Sequence, residues 1–516
     1  MTPTRVDTNL VSRRALIGGT LAGGIGLALA PTHHARGQST PPSGRTLTID
    51  LSGEPPTLDP ALTYDVNGWS VVHSVYDALI QYGPDGHFQP LLAESLTLLD
   101  PLTYEIKLRR DVTFHNGESF DARSVAFSLA HLVADETASQ VAGNFQVVTE
   151  VREIDSHTVR FILSEPAPWL PAQMAAWLLM LPPEYAADTA NDFATRPVGT
   201  GPFRFVDWDP GDRIALEANP TYFRVSPKGQ PLADMVEFRF VPEASTRVAD
   251  LLSGGADLVV AVPVDQVAAV ENGGEDVMSQ ALSGAAFVRI ATDVEPFSDV
   301  RVRQALNYAV DVESIIDALL AGHGTRLASF YPDARGLGFA ADLVPYRYDP
   351  ERARALVTEA GYPDGFDTKL EFATTERQEL VEAVAGQLKA VGVRASLQPL
   401  ETATFNQTWR DVDAAPLRFA TWRPLFDPYT LLSLLVADEG FLSRHANPET
   451  QALIELAAAE SDAGDREALY RDLGVLLHEQ PAAVYLYNLT ALYGVTADVA
   501  GWVPRADGYV IPTQTG

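Results

Sequence analysis

The stretch Tyr104–Ser128, YEIKLRRDVTFHNGESFDARSVAFS, compresses a strand, a tight turn and a capped helix into one run. Tyr104, Ile106 and Leu108 alternate with polar residues, the period of a half-buried strand, over Thr103–Leu108. Asn116 and Gly117 both tolerate positive φ, so the chain reverses there and His115 reads as a hairpin corner. Asp121 then stands where an N-cap belongs, ahead of Val125, Leu129 and Leu132 at i, i+4 and i+7. Strand, turn and helix in this order belong to a mixed α/β protein.

Outward from this run the same two periods recur. Strands are expected at Arg45–Leu51, Val159–Leu163, Val236–Val241, Phe287–Ala291, Thr368–Phe372, Arg394–Pro399, Leu417–Trp422 and Val484–Tyr487. Helical spacing covers Gly68–Ile80, Arg301–Leu320, Pro350–Ala360, Glu376–Val391, Glu449–Ala463 and Arg466–His478. Asp311 and Asp349-Pro350 are helix starts. Gly199-Thr200-Gly201-Pro202 resembles a phosphate loop, but no helical pattern follows it, so it reads as a chain crossing.

Composition narrows the class. The chain has 516 residues, 46% hydrophobic, enough for several domains with their own cores. With 68 acidic against 37 basic residues the net charge is −31, which repels nucleic-acid phosphates and anionic lipid surfaces. The absence of cysteine excludes disulfides, thiolate metal sites and cysteine nucleophiles. No G-x-S-x-G elbow, Gly-Lys phosphate loop or H-E-x-x-H metal spacing occurs, so no catalytic residue, metal ligand or cofactor is assigned. A hydrolase using dispersed carboxylates is the rival from another class, and nothing in the sequence singles out its pair.

The N-terminus reads as an export leader. Ser12-Arg13-Arg14-Ala15-Leu16-Ile17 precedes a short, glycine-rich apolar run to Ala30, a twin-arginine pattern. Cleavage is expected after Ala35-Arg36-Gly37, leaving Gln38 first in a mature periplasmic protein without a stable membrane insertion.

Six blocks in order resemble the extracytoplasmic solute-binding proteins of family 5, which serve ABC importers of peptides, nickel complexes and related solutes. These are GEPPTLDPA from Gly53 with LAES from Leu92, the Tyr104–Ser128 run, PVGTGPFRF from Pro197, NPTYF from Asn219, VRQALNYAVD from Val302, and YDPERARALVTEAGYPDG from Tyr348. The resemblance implies a bilobal clam-shell with an additional third domain, acting as a monomer beside the permease subunits. Lobe I would comprise 38–67, 199–284 and 484–516, the extra domain 68–198, and lobe II 285–483, with residues 1–37 as the leader. A small-molecule or peptide solute would lie between the lobes, and peptide-like solutes come first; a small carboxylate, a glycan or a metal chelate is the alternative.

The resemblance also directs attention to TWRPLFDPYT, Thr421–Thr430. Pro424 and Pro428 disfavour regular structure through it, so the loop is either a ligand wall or a corner wedged into the core. Peptide-binding members carry an amine-binding aspartate three residues after the tryptophan. Here Leu425 or Pro424 stands there, and the loop is one residue shorter. A buried ammonium without a counter-charge is costly. Either Asp427 takes that role or Arg423 holds an anionic solute with its forked guanidinium. Trp422 and Phe426 would supply aromatic walls. His445, Tyr64, Asp65, Tyr485 and Tyr487 complete the expected ligand-binding set.

Overall fold

In the computed structural model, which describes residues 4–5, 44–331, 337–422 and 427–514, the strand–turn–helix run folds as its chemistry directs. Thr103–Leu108 is a strand with Tyr104, Ile106 and Leu108 buried. The Phe114 N–H donates to the Glu118 carbonyl (2.8 Å) across the turn, with Gly117 at φ +93°. Asp121 caps the helix Ala122–Val133 by accepting from the Arg123 N–H (2.9 Å), and Ser124 returns a capping-box contact. The helix lays Val125, Leu129 and Leu132 on an antiparallel sheet ordered Thr4–Arg5, Ala93–Asp100, Thr103–Leu108, Thr158–Leu163, Val148–Asp155, and together they enclose one apolar core.

A larger sheet carries ten strands. In chain order they are β1 Thr46–Leu51, β2 Phe203–Asp209, β3 Arg213–Ala218, β4 Met235–Phe240, β5 Leu258–Val259, β6 Asp276–Ile290, β7 Phe366–Ala373, β8 Val393–Leu400, β9 Leu417–Trp422 and β10 Ala483–Val495. Across the sheet the order is β8-β7-β9-β6-β10-β5-β1-β4-β3-β2. Two mixed halves therefore meet at the antiparallel pair β6–β10, which runs from Asp276↔Val495 to Arg289↔Ala483 with irregular register between Ala281 and Phe287. One end of β10 pairs with β5 of the first half, while Ala285–Ile290 of β6 pair with β9 of the second.

Each half has its own core. Leu47, Ile49, Phe238 and Trp502 pack in the first. In the second, Ala286, Val288 and Ile290 of β6 face one apolar cluster while Ala285 and Phe287 face another. Both faces of that strand are covered, so its sequence loses the alternation of a half-exposed strand. The result is a bilobal mixed α/β architecture with the smaller sheet as an additional unit.

The glycine pair does mark a chain crossing. A Cβ on Gly199 would lie 2.1 Å from the Val75 carbonyl oxygen, and one on Gly201 2.6 Å from it. The Gly201 N–H donates to that carbonyl (2.8 Å), the His115 N–H donates to the Gly199 carbonyl (2.8 Å), and the Thr200 hydroxyl donates to buried Asp77 (3.0 Å). Lys228 Nζ closes the arrangement on Asp77 at 2.5 Å. This crossing explains why the helix expected to reach Ile80 is Val66–Val75: the chain must turn extended at Tyr76 to present Asp77. Likewise the expected helix Arg301–Leu320 divides into Val300–Ala309 and Val312–Leu319, because Asp311 caps the second by accepting from the Ser314 N–H (3.1 Å).

Candidate functional site

The carboxyl ends of β1, β5, β7 and β9 open on one cleft of about 1080 Å³, with Tyr487–Tyr493 of β10 running through it. Crevices beyond the carboxyl ends of strands are where open α/β sheets hold ligands. Tyr64, Asp65 and Trp69 form a wall from the first half; Leu320, His323, Glu376 and Thr421 face them from the second.

The lining is acidic. Asp65, Asp265, Glu376 and Glu379 stand against Arg377 and His323. Arg377 is already engaged, its Nε donating to Glu379 at 2.7 Å. Glu376 accepts from the Thr421 hydroxyl (3.0 Å), and Asp65 caps Val66–Val75 by accepting from the Gly68 N–H (2.9 Å). Asp65 is thereby fixed by one oxygen. Tyr487 is 5% exposed, and its hydroxyl makes no hydrogen bond to a described residue. Burial first, and Glu376 second, raise its pKa, so it stays a protonated donor.

The cleft therefore gathers Tyr64, Asp65 and Tyr487 of the residues expected from sequence. Tyr64 contributes its ring, because its hydroxyl donates to the Ala61 carbonyl (2.8 Å) and accepts from the Gln140 N–H (2.7 Å). Tyr485 faces away, its hydroxyl donating to the Leu477 carbonyl (2.7 Å). His445 is buried between the hydroxyls of Thr292 (3.2 Å) and Thr450 (3.3 Å), and burial lowers its pKa to about 4. Asp427 is buried in a bidentate pair with Arg466, both contacts at 2.9 Å, and caps the helix Pro428–Leu435. Trp422 is half-buried at the end of β9 against an apolar cluster, next to the cleft residue Thr421. Arg423 and Phe426 lie outside the described residues. Beyond the loop, Tyr429 stacks on Trp169 at 4.6 Å and Gln173 donates to the Thr430 hydroxyl (2.7 Å), tying this segment to the helix Leu170–Trp177.

Glu376, Glu379, Asp265 and His323 escaped the sequence reading. Their one local signal is position: Thr375–Glu379 directly follows β7 and Asp265 follows β5, both at carboxyl ends. Among the described residues no group of three or more His, Asp or Glu could hold a metal ion, and no helix is long and apolar enough to cross a membrane.

Comparison with known proteins places these features in company. The sequence model described as bacterial extracellular solute-binding proteins, family 5 Middle, matches residues 87–442. Heme-binding protein A of Haemophilus influenzae is 27% identical over 504 residues, covering 90% of this chain and 91% of its own. The glutathione-binding protein GsiB of Pectobacterium atrosepticum is 26% identical over 437 residues, covering 81% and 83%. Among solved structures, HbpA2 from Haemophilus parasuis superposes with a TM-score of 0.78 at 26% identity, covering 90% of this chain and 98% of its own.

Proposed function

Because the chain belongs to the bacterial extracellular solute-binding proteins of family 5, we propose that it captures a peptide-like solute with a free amine and delivers it to an ABC importer. The observation that carries this reading is the acidic cleft between the two halves, with Asp65 and Glu376 on opposite walls. A peptide's ammonium entering such a cleft needs a carboxylate partner, and Asp65 offers one. The relatives bind chemically different solutes, haem and glutathione by their names. Haem and glutathione each carry two carboxylates; only glutathione also presents an ammonium for an acidic wall to hold. The protonated Tyr487 hydroxyl supplies a donor to a solute carbonyl or carboxylate, and the rings of Tyr64 and Trp69 supply apolar walls.

Calorimetry on the mature protein tests this reading with a panel of short peptides, glutathione included, beside their N-acetylated forms. Acetylation should abolish binding, and Asp65→Asn should weaken it about tenfold or more, since it removes a charged partner. Equal affinity for acetylated and free peptides would exclude an amine-directed site. As a carrier, the protein should also return its peptide intact after prolonged incubation.

The proposal includes export by the twin-arginine route and assembly from 38–67, 199–284 and 484–516 as one lobe, 68–198 as the extra domain and 285–483 as the other lobe. Replacing Arg13 and Arg14 with lysine should leave unprocessed protein in the cytoplasm; normal periplasmic accumulation would contradict it. Hydrogen exchange should protect the three units as separate cooperative blocks.

A further inference from the structure

Arg289 of β6 and Arg418 of β9 are directly opposed across the strand pair, which brings their Cβ atoms to about 5 Å. Both are sealed from solvent, at 1% and 0% exposure. They lie apart from the cleft: Arg418 precedes the cleft residue Thr421 by three strand positions, roughly 10 Å. The Trp409 ring covers both guanidiniums, at 5.7 Å from Arg289 and 4.8 Å from Arg418, and Phe405 covers Arg418 at 4.4 Å.

Two like charges in this position are poorly matched by their neighbours. Arg418 Nε donates to Glu371 (2.8 Å) and its Nη2 to the Thr408 hydroxyl (2.8 Å), while Arg289 Nη2 reaches only the Trp409 carbonyl at 3.4 Å. Arg289 Nε and Nη1 and Arg418 Nη1 are buried without a hydrogen-bond partner. Arg444 close by is paired with Asp293, so it brings no spare carboxylate. Glu371 is the one carboxylate bonded to the pair; Asp293 and Asp411 also act on it through space but are exposed, so the sealed interior is left with one positive charge over. Burial, with the charges of Arg418 and Arg444 after it, lowers the pKa of Arg289 to about 9, still protonated at neutral pH.

Unmatched buried N–H donors on an uncompensated charge are costly, and native proteins satisfy them with water or an ion. Water accepts the hydrogen bonds but leaves the charge. An anion does both. We infer that Arg289 and Arg418 form a buried site for one monovalent anion of halide size, beneath Trp409 in the second half of the molecule. One negative charge restores neutrality, a halide accepts several N–H groups without directional demand, and a closed interior gives a polyatomic acid no entry.

The test compares thermal unfolding of the mature protein in sodium chloride and in sodium gluconate at equal ionic strength, for the parent and for Arg289→Met. The parent should melt about 2–4 °C higher in chloride, with saturation, and the variant should melt alike in both salts. Equal melting of the parent in the two salts, or a chloride effect that survives in Arg289→Met, would overturn the site. If the variant fails to fold, crystals of the parent grown in sodium bromide decide the matter. An anomalous peak within hydrogen-bond reach of both guanidiniums supports the site; its absence refutes it.

Discussion

Asp427 has both carboxylate oxygens on Arg466 while one of them also accepts the Tyr429 N–H at 2.9 Å. Removing one member of such a buried pair leaves the other charge stranded. Asp427→Asn should therefore lower stability by about 3–5 kcal/mol while the folded fraction keeps its affinity for solute. Melting and calorimetry on the same variant check both halves of that expectation. In sequence Asp427 is recognisable as an acid ahead of proline, but Arg466 lies 39 residues downstream and no local pattern announces it. His445 teaches a similar lesson: its residue type invites a ligand role, and only the tertiary fold encloses it. Burial first, and the charge of Arg303 second, hold it neutral down to about pH 4, against an ordinary value of 6.5. Below pH 6.5 the unfolded chain takes up a proton that the folded protein refuses. Stability is thus fully present above pH 6.5 and falls as pH drops toward 4, by up to about 3 kcal/mol from this residue. The difference in unfolding free energy between the parent and His445→Gln, measured across that window, should shrink in the variant's favour by this amount.

Elements were legible to the degree that their signals are local. The strand Thr103–Leu108 and its capped helix follow from alternation and from Asp121. The two strands that join the halves were legible only in part. Phe287–Ala291 and Val484–Tyr487 mark the apolar ends of β6 and β10, while the mixed stretches that continue them owe their extension to each other. The crossing at Gly199-Thr200-Gly201 was recognisable as irregular; its partners Val75 and His115 come from distant segments. Because a methyl on Gly199 meets backbone at 2.1 Å, Gly199→Ala should abolish soluble, cooperatively unfolding protein. Gly117→Ala, with nothing within 4 Å of the added methyl but φ +93°, should cost only about 1 kcal/mol. Circular dichroism melts of the two variants separate a packing demand from a backbone one.

At the scale of the molecule, β6 and β10 span both halves and the cleft lies along β10, so the two halves can swing about that pair. Addition of a verified peptide should lower the radius of gyration in solution scattering, and an unchanged value at saturation would count against closure. None of this sheet order was readable from periodicity, since neighbours in space are far apart in the chain; the ordered family blocks implied two lobes but no strand order. That order also constrains the timing of folding. β10, residues 483–495, lies between β6 and β5, yet it is made long after both. From Ile290 to Ala483 the ribosome adds 483 − 290 = 193 residues, roughly 10–40 s of elongation at typical rates. Throughout that interval β6 and β5 each carry an open edge, and the halves have no strand to share. The nascent chain thus holds unpaired, largely apolar β-structure until β10 arrives, and its most aggregation-prone moment is set by the ribosome rather than by the finished fold.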